Sequence, residues 1–89
     1  MMQSKGATEL LMLASWHGWA VAYVPGVDTG GNPFVTVQGQ RDGVPFDATW
    51  HTRPTGGKSY RLTNCTHARR TVSLSRLKEA IEEPTDARS

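Results

Sequence analysis

The sequence predicts an α+β fold in which an antiparallel meander sheet carries two helices packed on one of its faces. Three observations predict it. Apolar residues recur at helical spacing near both ends of the chain, around Leu10 and around Leu77. The middle alternates large apolar with small or polar residues, the period of a strand. An Asp42-Gly43 pair, the residue pair a type I′ turn favours, separates two of the alternating segments. The expected order is α-β-β-β-β-α, with residues 1–83 as a single domain and 84–89 as a flexible C-terminal tail.

The first helix is expected from Lys5 to His17, with Ser4 as N-cap and Gly18 at the C′ position. Ala7, Leu10, Leu11 and Ala14 make one face, and Met12 and Trp16 fall on roughly the opposite side. Two large apolar groups on the outer face of a helix mark a protein interface or a second packing layer. Trp19 to Val24 reads as a strand, with Trp19, Val21 and Tyr23 on one face and Ala20, Ala22 and Val24 on the other. Pro25 and Gly26 are expected to end it, and Val27–Pro33 to form a loop of turn-forming residues.

Phe34–Gln40 and Phe46–Arg53 flank the Asp42-Gly43 turn. A two-residue turn sets Arg41 opposite Val44, and then Gly39 opposite Phe46, Val37 opposite Ala48 and Val35 opposite Trp50. These residues are all apolar or small, so turn type and hydrophobic pattern agree on one register. The opposite face pairs Gln38 with Asp47 and Thr36 with Thr49, and parity adds Phe34 and His51 to it. After a second turn at Gly56-Gly57, Tyr60–Cys65 is the fourth strand. Tyr60 and Leu62 are expected to face the core, with Arg61 and Thr63 facing away; parity puts Cys65 with them, although a lone cysteine at a strand end is more often a small core residue. Thr66–Thr71 reads as a basic loop. Ser73 caps a last helix whose buried stripe is Leu74, Leu77, Ala80 and Ile81; Val72 staples onto Leu77, and Pro84 stops the helix.

Charge is unevenly spread along the chain. Residues 1–40 hold Lys5 against Glu9 and Asp28, a net of −1. Residues 41–76 hold Arg41, Arg53, Lys58, Arg61, Arg69, Arg70 and Arg76 against Asp42 and Asp47, a net of +5. Residues 77–89 return a net of −2, from Lys78 and Arg88 against Glu79, Glu82, Glu83 and Asp86. A basic middle suits either a solvated sheet face or an anionic partner. Read as a nucleic-acid surface, it would use Arg53, Lys58, Arg61, Arg69 and Arg70. The aromatic residues Phe46, Trp50 and Tyr60 fall on the expected core face, which leaves Phe34 alone to stack a base.

No motif specifies a reaction. Cys65 with His51 or His67 makes a nucleophile and base on paper, but no third group orients them. The same three residues are an incomplete ligand set for zinc, so no metal and no cofactor is expected. Asp28-Thr29-Gly30 resembles the catalytic triplet of aspartic proteases, but Gly31-Asn32-Pro33 follows it, and it reads as a turn. A lone cysteine fits a reducing compartment. With no signal peptide and no membrane span expected, the bacterial host cytoplasm is the expected location.

The helix–strands–helix order is similar in topology to the double-stranded RNA-binding domain. The last helix, opening Ser73-Leu74-Ser75-Arg76, lacks that family's lysine cluster, so none of its residues are carried over. Thr29–Pro33, Phe34-Val35-Thr36-Val37 and Thr49-Trp50-His51-Thr52-Arg53 resemble small proteins of actinobacterial phages, over about the middle half of the chain. That resemblance implies a setting, an accessory protein acting on the host or on phage DNA, and no activity. The expectation is a non-enzymatic binding module that binds a host protein or self-associates as a homo-oligomer, with Met12 and Trp16 as its interface. Nucleic-acid binding is the alternative, and a small metal- or thiol-dependent enzyme the remote one.

Overall fold

A computed structural model describes residues 5–52 and 60–83. The expectations at Ser4, at Arg53, at Gly56-Gly57, at Lys58 and from Pro84 onward lie outside these residues. Among the described residues the order is α1 (Lys5–Trp16), β1 (Ala20–Val27), β2 (Pro33–Arg41), β3 (Val44–Thr52), β4 (Tyr60–His67), β5 (Arg70–Thr71) and α2 (Leu74–Glu82). The strands form one antiparallel sheet in the order β1-β2-β3-β4-β5. This is the predicted α+β meander, with a short fifth strand added.

Helix α1 ends in a Schellman motif. Gly18 N donates to Ser15 O (3.2 Å) and Trp19 N to Ala14 O (2.9 Å), while Gly18 takes φ +83°. Only a residue without Cβ adopts that φ cheaply, so Gly18 sets the angle at which the chain leaves the helix and enters the sheet. Trp19 thereby becomes a corner residue and not the first residue of the strand. Helix α2 begins as expected, with the Ser73 hydroxyl accepting from Arg76 N at 3.2 Å. It ends at Glu83, which is extended (ψ 135°), the conformation favoured before a proline.

The β2–β3 register is the predicted one throughout: Arg41 faces Val44, Gly39 faces Phe46, Val37 faces Ala48 and Val35 faces Trp50. Asp42 (φ 55°) and Gly43 (φ 78°) form the left-handed pair of a type I′ turn. The Phe46 ring lies against Gly39, where a Cβ would come within 2.2 Å of it. Ala7, Leu10 and Ala14 of α1 and Leu77 and Ile81 of α2 pack on Val35, Val37, Phe46, Ala48 and Trp50 of the sheet in one core.

Three expectations need correction. Pro25 and Gly26 do not end β1, which runs on to Val27. Asp28 N donates to Asn32 O (3.0 Å), so alternate residues from there, Val24 and Ala22 among them, hydrogen-bond to β2. Pro25 falls between them on the sheet's outer edge, where its missing N–H disrupts no ladder bond. The loop is therefore Asp28–Asn32 and not Val27–Pro33.

Cys65 points into the core and not away from it, at 4% exposure. A bulge shifts the β3–β4 register, so that Trp50 faces Leu62 but Thr49 faces Asn64, with Thr63 as the extra residue. Parity flips beyond it and brings Cys65 opposite Ala48.

Thr66–Thr71 is a hairpin and not a loop. Strand β4 continues to His67 and β5 returns through Arg70 and Thr71, around a two-residue turn at Ala68 (φ 53°) and Arg69 (φ 68°). Neither residue is of a type that signals such a turn. It is held from outside: Ala68 N donates to Pro45 O at 2.8 Å and Val72 N to Cys65 O at 3.0 Å.

Candidate functional site

The two faces of the sheet differ in how far they satisfy themselves. Helices cover one face. On the open face six polar side chains pair with each other. Thr36 and Thr49 share a hydroxyl hydrogen bond of 2.9 Å, and Asn64 Nδ2 donates to Asp47 Oδ1 at 2.8 Å. Thr63 Oγ1 donates to Thr49 O at 3.2 Å and lies 2.6 Å from His51 Nδ1. The Phe34 ring packs over Gly26 and lies 5.1 Å from the His51 ring. Phe34 is thus on the open face, as parity predicts, and half-buried between these neighbours.

The arginines proposed for an anionic partner do not converge. Arg61 faces solvent beside His51, its partner in the ladder. Arg69 and Arg70 are exposed at the β4–β5 turn. Six residues of strand separate Arg61 from His67, which places the two groups about 20 Å apart. Arg53 and Lys58 lie outside the described residues.

The thiol and histidine residues also separate. Cys65 and His67 share the core face, whereas His51 is on the open face. Burial, and secondly the charge of Asp47, push the Cys65 thiol up from its ordinary value, so it is held as an unreactive neutral thiol at pH 7. His67 sits edge-on to Trp19, with ring centroids 6.5 Å apart. Among the described residues no group of three or more His, Cys, Asp or Glu side chains could hold a metal ion. The Asp28 carboxylate of the Asp-Thr-Gly triplet is occupied in its own loop, where Oδ1 accepts from Gly30 N and Asn32 N, each at 2.9 Å.

The unsatisfied surface lies at the β1 edge. Met12 is 65% exposed and Trp16 84%, as their position on the outer side of α1 predicts. A groove between helix and strand is lined by Leu11, Met12, Ser15, Trp16, Val21 and Tyr23. Tyr23, which parity groups with Trp19 and Val21, is on the helix side of the sheet but 38% exposed, at the edge strand β1. Val27, at the far end of β1, is 66% exposed. The strand Ala20–Val27 contains no charged residue. Its last residues were hidden from pattern reading by Pro25-Gly26, although the uncharged run itself is plain in the sequence.

No helix among the described residues is long and apolar enough to cross a membrane. Comparison with protein-family models, with curated proteins and with solved structures returns no match for this chain.

Proposed function

We propose that the protein is a non-enzymatic binding module whose working surface is the α1–β1 edge, and that it serves as a phage accessory factor binding a host protein or itself. One observation carries this reading: Trp16, 84% exposed, stands with Met12 beside an eight-residue edge strand that has no charge. Large apolar groups on a surface are expensive in water, and tryptophan is the residue most enriched where partners bind. An uncharged edge strand offers backbone donors and acceptors to an added strand. The open face supports the reading by contrast, since Thr36, Thr49, His51, Thr63, Asn64 and Asp47 there are already paired with one another.

The test is affinity capture from a bacterial lysate with the wild-type chain, Trp16→Glu and Arg69→Ala/Arg70→Ala, each with and without nuclease. Protein capture that survives nuclease and is lost in Trp16→Glu supports the binding surface. Capture abolished by nuclease and by the arginine substitutions, but indifferent to Trp16, replaces this reading with nucleic-acid binding.

A further inference from the structure

We infer that the partner of the β1 edge is a second copy of this chain, added antiparallel so that the two sheets continue across a two-fold axis at Ala22; the inference rests on the α1–β1 edge being the working surface.

The ladder decides which backbone groups are free. Because Asp28 pairs with Asn32 by hydrogen bond, the residues of β1 that bond to β2 are Gly26, Val24, Ala22 and Ala20. The outward groups are therefore those of Val21, Tyr23, Pro25 and Val27. Pro25 has a carbonyl only, and Trp19, next in the row, has its N–H committed to Ala14 O. Donors and acceptors are both complete at Val21 and Tyr23, and again at Val27 beyond the gap that Pro25 leaves.

A two-fold axis through Ala22 sets Val21 against the second copy's Tyr23, and Tyr23 against the second copy's Val21. Each such pair exchanges two N–H···O bonds, so all four outward N–H groups of Val21 and Tyr23 in the two copies are satisfied. The ladder ends on both sides where Trp19 and Pro25 lack donors. The small Ala22 side chain is exposed and lets the two strands meet without obstruction at the axis.

The side chains agree with the backbone. On the helix side this register lays each Tyr23 next to the other copy's Val21, at the groove that Leu11, Ser15 and Trp16 border. With about 150–250 Å² per aromatic side chain, the exposed parts of Trp16, Tyr23, Met12 and Val27 amount to about 500 Å² per copy. Two copies then offer up to about 1,000 Å² before the backbone is counted, the size at which specific interfaces begin. The strand carries no charge to repel its own copy.

The experiment is sedimentation equilibrium of the full chain, with Ala22→Lys and Ala22→Glu run singly and as an equimolar mixture. The wild type is expected at twice 9.8 kDa. Each single variant is expected at one chain mass, because two like charges meet at the axis, and the mixture is expected to recover the two-chain mass. That recovery also shows that both variants are folded. A wild type that stays at one chain mass at high concentration overturns the dimer, as do single variants that remain dimeric or a mixture that does not recover. A monomeric wild type whose lysate capture still depends on Trp16 would keep the binding surface and lose only its assignment to a second copy.

Discussion

The guanidinium carbon of Arg41 lies 4.6 Å above the ring of Trp19. From there Nη1 donates to His17 O at 2.8 Å, near the end of α1, and Nη2 donates to Glu83 O, the C-cap of α2. Trp19 itself donates from Nε1 to Ile81 O at 3.2 Å and meets Phe46 edge-on, with centroids 5.2 Å apart. One cation thus sits at the negative ends of both helix dipoles and on the face of the ring that joins them to the sheet. Arg41 looks in sequence like one more member of the basic middle, but in the fold it is a structural residue.

Arg41→Ala is therefore expected to destabilise the protein by about 2 kcal/mol, from two lost hydrogen bonds to carbonyls and one cation–π contact. For a chain of this size that lowers the melting temperature by about 10 °C. Arg41→Lys is expected to recover less than half, because an ammonium cannot span the His17 and Glu83 carbonyls while stacking on Trp19. Urea denaturation of the three proteins checks this, and equal stability of Lys and Arg at this position would contradict the double cap.

The β1–β2 tip makes a pH prediction. The amide of Asn32, with further help from Gly30 and from the charge of His51, holds the Asp28 carboxyl below its ordinary value of 3.8, against a smaller opposing effect of burial. A depressed folded value means that the carboxylate's contribution to the hairpin is present above 3.8 and lost as the pH falls through the folded value. The Gly30 and Asn32 amide resonances are expected to titrate together with a midpoint below 3.8. In Asp28→Ala that step is expected to vanish and hydrogen exchange at both amides to speed up. A midpoint at or above the ordinary value would show that the turn bonds do not form in solution.

Where the sequence was legible, two independent signals agreed. The Asp42-Gly43 turn and the alternation of Val35, Val37, Phe46, Ala48 and Trp50 each imply the same β2–β3 register, and the structure has it. Met12 and Trp16 were legible as outward-facing because helical spacing separates them from Leu10 and Ala14. What was not legible depended on neighbours. Pro25 is harmless only because β1 is an edge, and edge position is a property of the whole sheet. Cys65 turns inward only because Thr63 is an extra residue in the ladder, and a one-residue insertion leaves no mark in the pattern of Thr63-Asn64-Cys65. The Ala68-Arg69 turn has no turn-forming residue, and backbone bonds from Ala68 N to Pro45 O and from Val72 N to Cys65 O hold it. The arginines that look like one cluster in sequence are divided by the length of β4.

Gly39 is expected to resist a substitution that strands normally welcome. Alanine in place of glycine in a strand reduces the entropy lost on folding. At Gly39, however, the new Cβ would lie 2.2 Å from the Phe46 ring, inside a core where Phe46 is 2% exposed. Gly39→Ala should therefore cost about 1–3 kcal/mol through displacement of that ring. The combined change Gly39→Ala/Phe46→Leu should cost less than the sum of its parts, because the smaller side chain vacates the contested space. Strict additivity in a double-mutant cycle would argue against the ring lying over Gly39.

The β4–β5 turn offers the opposite case, a position where glycine or asparagine should help. Ala68 (φ 53°) and Arg69 (φ 68°) both occupy the left-handed region, which costs a residue with a Cβ about 1 kcal/mol or more. Asparagine tolerates that region and glycine is free in it, so Ala68→Asn/Arg69→Gly converts the turn to the Asn-Gly type that hairpins prefer. The pair is expected to stabilise the protein by about 1 kcal/mol, read as a higher denaturation midpoint with an unchanged slope. Both side chains are exposed, so no packing is lost to offset the gain. Stabilisation by the pair has a second consequence. If the double variant is more stable and still captures the same protein from lysate, the strained arginine is not part of the working surface. If it is more stable but loses a nuclease-sensitive partner, the strain at Arg69 is being kept for contact with nucleic acid, and the basic turn replaces the β1 edge as the place to look.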